Sequence, residues 1–197
     1  MGHIVFRRSL SGVTARTCML LLVAGLSLAA PVPSQDNART VNDFEARVTK
    51  YLDLRKKEAG SAPRPTNSPE KLAETQQKLA AKVRALRQDA KQGDIFAPEI
   101  AVYFRRQISA TVAGPNGQKI RASLRHADPV HTVALHVNQI YPPGLPLQST
   151  PPTLLLNLPP LPRELEYRIV GRNLVLYDTV PNLTVDFVPD AIPSAED

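Results

Sequence analysis

The 197-residue chain has one cysteine, no tryptophan, nine glycines and only 5% aromatic residues, and these shortages remove whole classes of protein. A single thiol closes no disulfide within the chain and builds no cysteine zinc cluster. The few glycines form no phosphate-cradling loop, and no serine stands in a Gly-x-Ser-x-Gly elbow. Long apolar runs are also missing, apart from one of thirteen residues near the N-terminus. Hydrophobic content of 43% and charged content of 21% are nevertheless those of a folded chain, and the length is ample for a core. Proline is the abundant residue. Nineteen prolines argue against a chain built only from long regular elements.

The one apolar run, Cys18–Ala30 (CMLLLVAGLSLAA), follows Arg7, Arg8 and Arg16 with no acidic residue before it. At 1.5 Å per residue it reaches only about 20 Å, short of a hydrocarbon core of about 30 Å. A basic start, a short apolar middle and a small-residue end are the parts of a secretory signal peptide. Ser27 and Ala29 supply the small side chains before the cut, so cleavage is expected after Ala29, with no transmembrane helix left in the mature chain. The alternative is an uncleaved anchor. Removing residues 1–29 also removes Cys18 and three arginines. The mature chain would be cysteine-free, near +3 against +6 for the whole.

Residues 30–40 read as a flexible leader. Val41, Phe44, Val48, Tyr51 and Leu52 then recur at helical steps, and Gly60 is placed to end that helix. After the proline-rich break 62–68, Ser68-Pro69-Glu70 reads as cap, first-turn proline and first-turn acid. The second helix is expected to run to about Gln92. Its Leu72, Gln76, Leu79, Val83, Leu86 and Ala90 form a narrow seam, to be packed antiparallel on residues 41–59 or matched by a second chain. Ala97-Pro98-Glu99 opens a third helix with Ile100, Tyr103, Phe104, Ile108 and Thr111 on one face. A short fourth helix is allowed over 118–127.

The texture changes at Pro129. Val133, Leu135 and Val137 alternate as in a half-buried strand. Eight prolines between 142 and 163 impose an extended, turning connector, with room for a helical turn at Thr153–Asn157. Leu165–Val170, Leu174–Asp178 and Leu183–Val188 are strand-like runs joined by loops short enough for an antiparallel meander. Alternation assigns Tyr167, Ile169, Leu174, Leu176, Leu183, Val185 and Phe187 to its buried face and leaves Asp186 on the open one. The fold class is α+β: amphipathic helices over 41–128, then a connector and β module over 129–190, then a flexible tail over 191–197. Residues 31–128 sum to +7 and residues 129–197 to −4, so the helical part is basic and the β part acidic.

Candidate chemistry is sparse. Glu164 and Glu166 flank Leu165 at a strand entry and read as a solvated edge, so a hydrolase built on them or on Asp186 is the weakest alternative. His126, Asp128, His131 and His136 are four potential metal ligands within eleven residues. One strand would send His131 and His136 to opposite faces, so solvated histidines are expected. A metal-responsive role through this cluster remains the runner-up. No catalytic residue, metal site or cofactor is assigned. Nucleic acid is not the expected counterpart of an exported chain, and an anionic envelope surface or another envelope protein fits the basic helices better. Asn182-Leu183-Thr184 matches the N-glycosylation pattern.

Residues 160–188 carry Leu161-Pro162, Tyr167-Arg168, the turn Gly171-Arg172-Asn173, Leu176 to Asp178, and Val185-Asp186. This text resembles a C-terminal module of small bacterial exported proteins, among them the periplasmic regulator family of nickel and cobalt homeostasis. The resemblance implies a bacterial envelope protein, periplasmic or secreted, with a small β module. It carries over no catalytic or metal-binding residue.

Overall fold

In the computed structural model, residues 35–59, 68–126, 134–142 and 148–194 are described, and all of them belong to one compact unit. The expected signal peptide and the break at 62–67 lie outside them. The fold is α+β. Its elements are α1 (Gln35–Ala59), α2 (Pro69–Leu86), α3 (Pro98–Ala113), α4 (Gly117–His126), β1 (Gln148–Ser149), α5 (Pro152–Leu155), β2 (Leu165–Val170), β3 (Asn173–Asp178) and β4 (Leu183–Val188).

Two helix boundaries differ from expectation. The polar stretch from Gln35 joins α1 in place of a flexible leader, with Asp36 in the favourable first turn. Helix α2 starts at its Ser68 cap as expected but stops at Leu86. There the Arg87 side chain is drawn inward over the Tyr51 ring, 5.0 Å from its centroid, and Gly93 at φ +94° re-aims the chain toward α3. Arg47 then donates to the Asp94 carbonyl at 2.7 Å, so this loop runs back along α1.

The helices cover one face of an antiparallel sheet of order β1-β2-β3-β4. Phe44 of α1, Phe96 of the loop and Phe104 of α3 meet with centroids 5.1–5.5 Å apart, and Phe104 reaches Tyr167 of the sheet at 5.7 Å. Such pairs add about 0.5–1.5 kcal/mol each beyond burial. Ile100, Ile108, Leu174, Leu176 and Leu183 fill the space around them. A smaller cluster, Tyr141, Val170 and Val175 with Tyr177 and Phe187, occupies the opposite face.

The Gly171-Arg172 hairpin has glycine at φ +60° in its first position. The next hairpin contains a bulge. Leu176 pairs with Asp186 but Tyr177 pairs with Thr184, leaving Val185 as an extra residue in β4. That one residue reverses the alternation beyond it. Asp186 turns to the helical face, Phe187 to the opposite cluster, and Val188 back to the core.

Two further expectations are corrected. Residues 134–137 form no strand, because Asn138 at φ +61° breaks the extended run. Beyond it Ile140 bridges Leu183 of β4, and the Asn138 and Tyr141 amides donate to the Thr184 and Asn182 carbonyls. Ala191 and Ile192 are buried, in place of a free tail, with Arg172 and Ile192 bonded through N–H and C=O groups in both directions. The helical turn in the connector is present as α5.

The turn between α3 and α4 sets up a mutational contrast. A Cβ at Gly117 would lie 1.9 Å from the Val112 carbonyl oxygen, whereas one at Gly171 would meet nothing within 4 Å. Gly171→Ala should cost about 1 kcal/mol through its positive φ, and Gly117→Ala more than about 2 kcal/mol through displaced backbone. Urea titration of the two variants measures the difference.

Candidate functional site

The polar groups drawn into the interior lie between the helices and the sheet. Asp178, at the end of β3, faces α1. It accepts a 2.7 Å hydrogen bond from the Tyr51 hydroxyl and a 3.3 Å contact from the Arg55 guanidinium, and its own Val180 amide donates at 3.1 Å. Arg55 also reaches Glu164 at 3.3 Å. Tyr51 and Arg55 share the buried face of α1 because they are four residues apart. Arginine within an apolar stripe is the one sequence signal that a buried carboxylate awaits it, and sequence reading passed over it.

Asp186 corrects the expectation of an open-face residue. Its side chain is fully buried, and its oxygens accept amides from Gly93 at 3.0 Å and from Ile95, Phe96 and Phe187 at 2.8 Å each. Burial pushes the carboxyls of Asp178 and Asp186 above the ordinary aspartate range, and their donors oppose that shift. Beside Asp186, Arg87 donates to Asn138 Oδ1 at 2.7 Å and to the Val185 carbonyl freed by the bulge. Asn138 Nδ2 returns a 2.6 Å bond to the Arg87 carbonyl. Burial lowers the Arg87 pKa.

These groups fasten β3 to α1, and β4 to the loop between α2 and α3. Each oxygen of Asp186 holds two amides, which leaves it poorly disposed to take a proton from a substrate. Glu166 is a half-buried partner of Arg168 on its own strand. Glu164 is half-buried and held by Arg55.

Of the histidine cluster, Asp128, His131 and the side chain of His126 lie outside the described residues. His136 is exposed on an open groove of about 640 Å³ shared with Arg84, Arg87, Gln88 and Gln139. Among the described residues, no three His, Cys, Asp or Glu side chains converge as a metal site. The glycosylation pattern is folded inward: Asn182 Oδ1 accepts from Tyr177 at 2.6 Å, and Thr184 is buried.

Comparison with known proteins finds no matching family model, no similar curated protein and no similar solved structure. Among the described residues, no helix is long and apolar enough to cross a membrane.

Tyr51 and Tyr167 give the interior a pH signature. Burial raises both phenols far above their ordinary range, assisted at Tyr51 by Asp178 and at Tyr167 by Glu45 and Tyr103. A raised folded pKa means that the folded chain holds protons the unfolded chain releases above about pH 10. Their stabilisation is therefore complete below about pH 10 and falls as pH rises beyond it. Tyrosinate absorbance from these residues should appear together with loss of helical circular dichroism, not before it. Early ionisation in a fully folded chain would contradict their burial.

Proposed function

We propose that this protein is an exported bacterial envelope protein, periplasmic or secreted, that acts as a non-catalytic binding or structural module. The observation that carries the reading is the engagement of the two buried carboxylates, Asp178 and Asp186, by the fold's own donors. Groups of this kind elsewhere do acid–base work, and here they join helix layer to sheet. The basic surface of the helical part is what the chain offers outward. The basic leader, the short apolar run and the resemblance of residues 160–188 to exported bacterial proteins support the address.

Fractionation of a bacterium expressing the full chain, followed by N-terminal sequencing, tests the proposal. The expected product lies in the envelope or medium and begins at Ala30. A full-length product in the cytoplasm would overturn the export reading. A hydrolysis reaction abolished by Asp186→Asn in a variant of native circular dichroism would overturn the non-catalytic one.

A further inference from the structure

The seam expected along α2 is divided in the structure. Ala80 and Val83 are buried, while Leu72 and Leu86 remain 51% and 48% exposed and Leu79 is half-buried. The three leucines stand seven residues apart, so they form one row about 21 Å long that drifts only about 20° per step. Next to the row, about 60–100° further around the helix and away from Val83, stand Lys71, Lys78 and Lys82. Glu70 and Glu74 fall beyond the lysines, on the far side of the helix. Passing outward, the order is core, leucines, lysines, acids. A helix lying in a bilayer interface has this gradient, with leucines dipping below the headgroups and lysine stems reaching back to them. The Lys78–Glu74 pair is exposed on both sides and holds Lys78 only weakly.

We infer that this flank of α2 is a docking surface for an anionic lipid bilayer. The inference deepens the envelope-binding reading above and rests on it. A second copy of the chain is the poorer occupant, since antiparallel self-pairing along the leucines would bring two lysine rows together, at a cost in like-charge repulsion. An anionic headgroup layer matches the charge of the row along its whole length.

The absence of tryptophan provides the test. Leu86→Trp and Leu72→Trp each place a single reporter on the row in the full-length chain, and Leu156→Trp places one on the exposed tip of α5 as a control. Vesicles of phosphatidylcholine with phosphatidylglycerol should shift the α2 reporters to the blue, and brominated acyl chains should quench them. Pure phosphatidylcholine should do neither, and the Leu156→Trp reporter should not respond. Adding Lys71→Glu and Lys82→Glu to Leu86→Trp should weaken the response at least about tenfold, with native circular dichroism retained. Because the reporter reads its own position, binding through the apolar run Cys18–Ala30 cannot imitate the result.

An α2 reporter unmoved by anionic vesicles would overturn the inference. So would a lipid-free dimer in sedimentation velocity that Leu72→Ser and Leu86→Ser dissolve, which would assign the row to a second copy. A chain found in the envelope whose α2 reporter stays silent sinks only this inference, whereas a cytoplasmic chain sinks the envelope reading itself.

Discussion

Asp186→Ala is expected to remove about 4–6 kcal/mol of folding stability, a large part of what a domain of this size possesses. The side chain accepts four amides at 2.8–3.0 Å, three of them from the loop between α2 and α3. Alanine leaves those donors buried, and each unpaired amide costs about 1–3 kcal/mol, reduced wherever the loop opens to water. Asp186→Asn tests the cause. Each carboxylate oxygen holds two amides, so an amide group in either orientation turns its NH2 toward two donors. The isosteric change should still cost about 3–4 kcal/mol. Urea unfolding should show a lower midpoint at nearly constant slope. A loss within about 0.5 kcal/mol for Asp186→Asn would show that the carboxylate does not hold the loop.

Removal of the Asp178 carboxylate should cost about 3–5 kcal/mol, because Asp178→Ala leaves the buried Arg55 guanidinium with only the half-exposed Glu164 as counter-charge. Tyr51→Phe removes a single hydrogen bond and should cost about 1–2 kcal/mol. Replacing both ions, as Arg55→Met with Asp178→Leu, should recover most of the Asp178→Ala loss. An unpaired buried charge is worse than none. A double variant no more stable than Asp178→Ala would refute that ordering and make Asp178's bonds to Tyr51 and Val180 the larger contribution.

These two aspartates mark where local sequence pattern stops informing the fold. Ser68-Pro69-Glu70 and Ala97-Pro98 placed the starts of α2 and α3 because capping and proline geometry are local. The three long strands followed from period-two runs and short turns for the same reason. Asp186 was assigned to the wrong face because strict alternation assumes an unbroken strand, and nothing in Leu183–Val188 announces that Val185 will bulge. Local pattern makes Asp178 no more than a strand end, since its partners lie on α1. The seam of α2 was visible as a pattern, but which edge of it would meet the core was not.

Taken alone, the sequence determined the α+β class and the separation of basic helices from an acidic β module. Helical and strand periodicity, chain stops and charge are properties of neighbouring residues. Only the tertiary structure decided the bulge, the burial of both aspartates and the exposure of Leu72 and Leu86. The burial of the aspartates depends on hydrogen bonds between groups 93 and 127 residues apart, Gly93 with Asp186 and Tyr51 with Asp178. A carboxylate is driven into a core only when donors from distant elements are already assembled to receive it.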